Sequence, residues 1–522
     1  MRSEFEGKGC SVWDEAMMQS VLIILAFLLL MITGLWVRFR PLRMNPLLGV
    51  DNWYWLLCIE DVKKNRRIPA RLPYFMLEIE EQWYPPLYSF FMSFIPLEVL
   101  KKSGGRVAQF SDLLTGVIIY FGVLWLSDSI PLAFISGFSY IIAFLPLNYS
   151  NQLQPRGLAN ALLSLVVLGL WFYTRTGSLV VWSGILVISV IILFLHKMTT
   201  QIWWVYLLGF GIWARDLTLP ILLPASIFLA IIISKGFYIK VLKAHWDIVT
   251  FWNENIQHLG SHQYYESPQY WKEGFVSTAV HQKGLSHQVR KLWSLLVNNI
   301  FILLLPVCIY FNLFHSHNDF ESFLWWWLCL TYLWAFLTTF VPYLKALGAG
   351  ILYLYQSFLP LFLIVTLLVL DMPLNFQWPL FILWAVGLIL SVAQWEKYCR
   401  SVAHQKTGVL QEELGEVLNY LKEQPKDGVF CIPFTLPDVT AYWTQKKVFW
   451  GGHGYGFHSY LKPYFPIMRE NVLETLREKH LHYVLFWQGY LDSLEDIGLK
   501  VGQDLKLLFS KGDYELYEVV RK

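Results

Sequence analysis

Asn45-Pro46-Leu47-Leu48-Gly49-Val50-Asp51-Asn52-Trp53-Tyr54-Trp55 opens a stretch that ends Glu80-Glu81-Gln82-Trp83-Tyr84-Pro85-Pro86-Leu87. It follows the first apolar run of the chain and sets how the rest is read. It puts Asp51 close to a membrane face, surrounds it with aromatic and charged residues, and closes on a Pro-Pro pair where apolar sequence resumes. Trp and Tyr gather at membrane interfaces without any chemistry, so an aromatic belt with solvated acids is the plain reading. An acid held there among rings also suits a substrate that is half lipid and half polar.

Outward from this stretch, the 522 residues are 56% hydrophobic and 17% aromatic, and 15% are charged. Soluble chains are about 25% charged, and the mean hydropathy here is +0.43. With many long apolar runs, this composition predicts an integral, multi-pass membrane protein. A net charge of +3 gives no footprint for nucleic acid. Cys10, Cys58, Cys308, Cys329, Cys399 and Cys431 form no C-x-x-C pair, so neither a zinc site nor a disulfide framework is expected. The first run, about 17–37, is long enough to span and no small-residue cleavage site follows, so it reads as a retained helix. Arg38, Arg40 and Arg43 come after a slightly acidic leader. Taken alone, they place the following loop in the cytoplasm.

Past the loop at about 38–84, apolar segments lie near 84–100, 113–127, 130–147, 158–173, 179–195, 202–213 and 219–233. They resume near 295–314, 323–341, 347–370 and 376–395. About 11 to 13 spans are expected. Several fall short of the roughly 20 residues a perpendicular helix needs, and such pieces belong in a bundle interior or re-enter from one side. The links are short and polar: 148–157 reads Asn-Tyr-Ser-Asn-Gln-Leu-Gln-Pro-Arg-Gly, and 196–201 reads His-Lys-Met-Thr-Thr-Gln. A polar insertion at about 240–293 carries His245, His258, His262, His281 and His287. From about 396 the composition turns soluble. A helix is expected over 411–422, strands at 429–433 and 481–487, a helix over 467–479, and a hairpin around Lys511-Gly512-Asp513. The expected fold class is a polytopic α-helical membrane domain over 1–395 with a small soluble α/β domain over 396–522.

Glycosyl transfer needs a base to take the acceptor's proton, and a carboxylate at the membrane plane can meet a lipid-linked donor. Asp51 is the favoured candidate, because aromatic residues follow it directly. Glu60, Asp61, Glu78, Glu80 and Glu81 are further acids, most of them in runs with Lys63, Lys64, Arg66 and Arg67 that read as a solvated face. Arg156, His196 and Lys197 sit at span ends, where cations suit a phosphate group. Taken singly, such residues are more often snorkelling anchors. His258 and His262 have i, i+4 spacing, but Gly260 separates them and no H-E-x-x-H acid is present, so metal is not expected there. Gly451 to Gly456 contains His453 and lacks the Lys-Ser/Thr of a phosphate loop. A turn is the plain reading, with His453 as an acceptor contact the alternative.

In layout the chain resembles the GT-C superfamily of polyprenyl-phosphate-sugar glycosyltransferases, nearest in flavour to the protein O-mannosyltransferases and aminoarabinose transferases. The resemblance is carried by Asp51-Asn52-Trp53-Tyr54 in the first loop, Pro85-Pro86-Leu87 at its end and Lys197-Met198-Thr199. Asn52 stands where an acid is common. The stretch Tyr353 to Pro360 lacks the Arg of many members, though Lys345 lies nearby in sequence. Trp325-Trp326-Trp327 is not the Trp-Trp-Asp of the oligosaccharyltransferase branch.

The resemblance implies inverting transfer from a polyprenyl-phosphate or -diphosphate sugar to a lipid, glycan or protein acceptor outside the cytoplasm. Asp51 would be the base. Arg156, His196 and Lys197 would be the phosphate side, with Glu80, Glu81, Tyr84, Lys345 and His453 as further contacts. It leaves a divalent metal open, since some branches use one and others none. The membrane would be the cell membrane in a prokaryote and the endoplasmic reticulum in a eukaryote. The first loop would face outward, against the local charge. A transporter or flippase of a lipid-linked substrate is the alternative, as is a non-catalytic assembly protein. No repeat between halves is detectable, which disfavours a transporter.

Overall fold

Residues 21–37 are almost wholly apolar, and the one hydroxyl among them is satisfied internally, Thr33 Oγ1 donating to Leu29 O at 2.8 Å. The structure, a computed structural model, describes residues 3–45, 49, 51–77, 81–258, 263–264, 284–312, 318–403, 412–451 and 458–521. From the N-terminus the helices are α1 (Ser3–Met44), α2 (Asp51–Asn65), α3 (Leu87–Met92), α4 (Leu97–Ser127), α5 (Ile130–Ile142) and α6 (Phe144–Tyr149). They continue with α7 (Arg156–Thr176), α8 (Leu179–Leu193), α9 (Lys197–Ala214), α10 (Thr218–Ile233) and α11 (Phe237–Glu254).

Among the described residues, six helices are long and apolar enough to cross a membrane: Met17–Met44, α4, α7, Asp319–Phe340, Gly350–Asp371 and Gln377–Ala403. A seventh crossing exists if Leu285–Asn298 and Ile300–Asn312, bent by 90°, count as one. The chain is a multi-pass, mostly helical membrane protein. Fewer helices reach spanning length than the 11 to 13 expected spans, because α5, α8 and α10 are short. At 1.5 Å per residue the 13 residues of α5 cover about 20 Å of a roughly 30 Å hydrocarbon layer. The apolar segments read as 84–100 and 113–127 become α3 and a long α4. Lys101 and Lys102 lie within α4, just ahead of a kink at Ser103, whose backbone is non-helical (φ −139°, ψ 15°).

The region expected as a loop at about 38–84 is partly helical. α2 carries Asp51 in its first turn and Lys63 and Lys64 in its last, the charge order that a helix dipole favours. Its residues from Asn52 to Ile59 are all buried, more than an interfacial belt requires. Trp55 meets Tyr84 and Tyr88 edge-on at 5.4 and 5.2 Å, and Trp53 lies 5.6 Å from Tyr442 of the soluble domain. Val448 N–H donates to Tyr74 O at 2.7 Å, and the N–H groups of Met76 and Leu77 donate to Val448 O and Phe449 O. The first loop and the soluble domain therefore share one core.

The polar insertion supplies α11 and strand β1 (Gln263–Tyr264). The soluble domain has the expected helix at Glu412–Glu423, with Leu414, Val417, Leu418 and Leu421 buried. Its sheet runs β2 (Val429–Ile432), β4 (Tyr483–Trp487), β6 (Tyr514–Val519), β5 (Leu505–Lys511). β2 and β4 are parallel, and the other pairs antiparallel. The helix expected over 467–479 divides into β3 (Ile467–Met468), which pairs with β1, and a helix at Val472–Glu478. Asn471 makes the division by capping that helix, its side chain accepting from Glu474 N–H. The last membrane helix runs through 395/396 to Ala403, because Glu396, Lys397 and Arg400 change composition without ending a helix.

Arg38 belongs to the bundle interior and not to the loop. Fully buried, it contacts Asp112 at 3.0 Å, donates to Gln109 Oε1 at 3.0 Å and to Tyr140 O at 3.2 Å. Tyr140 Oη donates to Asp112 Oδ1 at 2.9 Å. Only Arg40 and Arg43 remain as flanking charges, and Arg40 pairs with Glu396 at 2.8 Å.

Candidate functional site

Three links of chain meet at the start of α2. The first is 149–157. Gln152 Nε2 donates to Asp51 Oδ2 at 2.8 Å, and Asp51 N–H donates to Gln152 Oε1 at 3.4 Å. Leu153 N–H donates to Asn52 Oδ1 at 2.5 Å, while Asn52 Nδ2 donates to Gly49 O at 3.4 Å. A carboxylate at position 52 would have no proton to give Gly49, so the amide suits its place. Gly49 itself adopts φ +92°, and a Cβ there would overlap Gln152.

The second link is 84–88. The Tyr84 side chain reaches the backbone of Lys197, and Leu87 N–H donates to Phe194 O at 3.0 Å. Pro85-Pro86-Leu87 thus seats the first loop on the turn between α8 and α9. The third link is that turn. His196 caps α9, its Nδ1 accepting from Thr199 N–H at 3.3 Å and lying 2.9 Å from Thr199 Oγ1. Because Nδ1 accepts, the neutral ring carries its proton on Nε2. Arg156 opens α7, and its Nη1 donates to Tyr149 O at 3.1 Å.

The charges of these groups bear on one another. Burial pushes Lys197 down to about 8, with Arg156 acting the same way and Asp51 opposing. Burial, then Arg156, Lys197 and His245, hold His196 below its ordinary range. His245, on α11, is pushed down to about 3 by burial and by Lys197. Burial raises the Tyr84 phenol; Arg156 opposes this and Asp51 adds to it. Asp51, Tyr84, Arg156, His196, Lys197 and His245 therefore form one cluster. A small cavity beside it is lined by Arg156, Asn160, His196, Thr199, Tyr353 and Gln356. The arrangement offers one carboxylate for proton transfer and a set of cationic and donor groups for an anion.

Other candidates are placed differently. Glu81 Oε2 takes Lys240 Nζ at 2.7 Å and Trp83 Nε1 at 3.2 Å. Burial alone would raise its carboxyl, but these bonds carry it below the usual range. Its partners lie outside the cluster, and it ties the first loop to α11. Asp61 is not a solvated acid: it accepts from Arg71 N–H at 2.8 Å and Asn65 Nδ2 at 2.6 Å and pairs with Arg67 at 3.2 Å. Lys345 lies in the turn Pro342–Leu347 with Lys291 near it. Glu80, His262, His281 and His453 fall outside the described residues. Among the described residues no three His, Cys, Asp or Glu side chains are grouped to hold a metal ion. Gln152, Asn160 and His245 were not singled out from the sequence as site residues. Gln152 stands in a polar link and His245 among five histidines, and no spacing marks either.

No protein-family model matches the chain, and no curated protein matches it in sequence. Solved structures match it in fold. ArnT from Cupriavidus metallidurans bound to undecaprenyl phosphate aligns with TM-score 0.53 at 8% identity, over 95% of this chain and 98% of that one. Its apo state aligns with TM-score 0.51 at 8% identity over the same shares. The archaeal oligosaccharyltransferase AglB from Archaeoglobus fulgidus, in complex with an inhibitory peptide and a dolichol-phosphate, aligns with TM-score 0.53 at 9% identity, over 91% of this chain and 70% of that one. The chain shares its fold with these two membrane proteins. The likeness expected from the layout of the chain holds at the level of fold.

Proposed function

We propose that this chain is a membrane glycosyltransferase that moves a sugar from a polyprenyl-phosphate or -diphosphate donor to a lipid, glycan or protein acceptor on the non-cytoplasmic side. The observation that carries the reading is the pairing of Asp51, oriented by Gln152, with the cationic groups Arg156 and Lys197 in one cluster. That two proteins of the same fold hold dolichol-phosphate and undecaprenyl phosphate supports it. Asp51 takes the proton of the acceptor as the acceptor attacks the anomeric carbon. The bond from that carbon to the phosphate oxygen breaks, and the lipid phosphate leaves with the electron pair. Arg156 and Lys197 stabilise the charge that develops on it, Arg as a fork and Lys as a point charge. Attack opposite the leaving group inverts the sugar carbon.

The test uses purified full-length protein with a radiolabelled polyprenyl-phosphate hexose in detergent, wild type against Asp51→Asn. Label transferred or released by wild type alone supports the enzyme. Equal label from both removes Asp51 as base. Bound but intact donor in wild type turns the reading towards transport or assembly.

A further inference from the structure

Three polar atoms in and beside the cluster are sealed from solvent and, among the described residues, have no hydrogen-bond partner: Arg156 Nε, Asn160 Nδ2 and His245 Nε2. Buried polar groups in native folds are nearly always paired, and a buried donor left unmade is costly. Arg156 and Asn160 stand four residues apart on α7, hence on one face, and both line the small cavity. Asn160 Oδ1 is already taken, 3.4 Å from both Thr199 Oγ1 and Gln356 Nε2, so its amide hydrogens are what remain. His245 does not line that cavity; it stands on α11, whose Tyr238 ring meets that of Phe194, two residues before His196, at 5.2 Å. The charged groups that bear on this place are Arg156 from α7, His196 and Lys197 from the turn before α9, and Asp51 and Tyr84 from the first loop. Packing alone gives no reason to bring an imidazole with an unpartnered Nε2 near an ammonium. An anion between them gives one.

We propose that His245 is a ligand of the donor phosphate, its Nε2–H donating to a phosphate oxygen that Arg156 and Lys197 also hold. This rests on the donor reading above and adds a third structural element to it. α11 is braced for the role. Near one end Lys240 binds Glu81 of the first loop at 2.7 Å. At the other, Glu254 pairs with Lys462 of the soluble domain at 2.6 Å, and Phe251 stacks on Phe465 with ring centres 6.1 Å apart. The helix that carries His245 is therefore held in place before any ligand arrives, which lowers the ordering cost of binding. Burial and Lys197 keep His245 neutral when no anion is present, and a phosphate beside it favours the proton-donating ring.

The experiment measures binding of undecaprenyl phosphate and of undecaprenol to the purified full chain in detergent, together with the lipid-free melting temperature. The variants are His245→Ala, His245→Gln and Arg156→Ala. Wild type is expected to prefer the phosphate by at least about tenfold. His245→Ala should lose roughly tenfold in affinity for the phosphate and nothing for the alcohol. His245→Gln, whose amide N–H reaches a similar point, should stay within about threefold of wild type. The lipid-free melting temperature of His245→Ala should equal or exceed that of wild type, since an unpaired polar atom has been removed. If His245→Ala keeps wild-type phosphate affinity while Arg156→Ala loses it, His245 is excluded and the donor reading stands. A lowered lipid-free melting temperature with equal loss for both lipids makes His245 structural and overturns the proposal. A wild type that does not separate phosphate from alcohol overturns the donor reading itself.

Discussion

Gln152 Nε2 donates to Asp51 Oδ2 at 2.8 Å across 101 residues of chain. The contact orients the carboxylate and joins the first loop to the link between α6 and α7. Asp51→Asn keeps the shape and loses the base, so transfer should fall by about 10²- to 10⁴-fold. Polyprenyl-phosphate binding should stay within a few-fold. Gln152→Ala leaves the acid but frees its direction, and kcat should drop about tenfold with little change in donor KM. Steady-state kinetics on both variants check this. A raised donor KM with unchanged kcat for Gln152→Ala would show that Gln152 acts on binding and not on Asp51.

If the proposed function holds, Lys197 should set a pH limit on donor binding. Burial and Arg156 bring it down to about 8, so the ammonium is present below that pH and is lost above it. Phosphate binds the ammonium form. Donor affinity should be flat below pH 8 and weaken by up to about tenfold per unit as pH rises beyond it. Lys197→Arg keeps its charge throughout, and its affinity should stay level to pH 10. A binding titration across pH 6 to 10 on both proteins decides the point, and a matching fall in the arginine variant would assign it to another group.

The Arg38–Asp112 pair, fully buried at 3.0 Å, should behave as a matched unit. Removing one partner strands a charge, and Arg38→Met should cost about 3–5 kcal/mol. The double variant Arg38→Met/Asp112→Leu should recover most of that loss. Thermal unfolding in detergent measures both, and a double variant no more stable than the single one would refute the pairing.

Gly157 permits the contact between α7 and α4. A Cβ there would meet Asp112 Cβ at 2.8 Å and its backbone N and Cα at 2.9 Å, and backbone cannot yield. Gly157→Ala should destabilise by about 1–3 kcal/mol and weaken donor binding by displacing neighbouring Arg156. Gly184→Ala is the control, because nothing lies within 4 Å of a Cβ there. Equal stability and equal donor binding in the two variants would show that the α7–α4 approach has slack.

Local pattern was enough for the class of protein. Long apolar runs can only be stable in lipid or in a bundle interior, so a membrane protein was legible from composition. The helix at Glu412–Glu423 and the β5–β6 hairpin followed from periodicity and turn residues. Asp51 stood out because aromatic residues follow it directly, Pro85-Pro86-Leu87 because apolar sequence resumes there, and the His196-Lys197 turn because it ends an apolar run. Partnership was not legible. Whether Arg38 flanks the membrane or meets Asp112, whether Asp51 is held by rings or by Gln152, and which histidine faces Lys197 depend on how helices far apart in the chain pack together. Propensity and hydropathy describe each residue with its near neighbours, and they carry no term for a side chain 101 positions away. The tertiary structure supplies that term: it gathers three links of chain at the start of α2 and brings α11 to them with an unpartnered His245 Nε2.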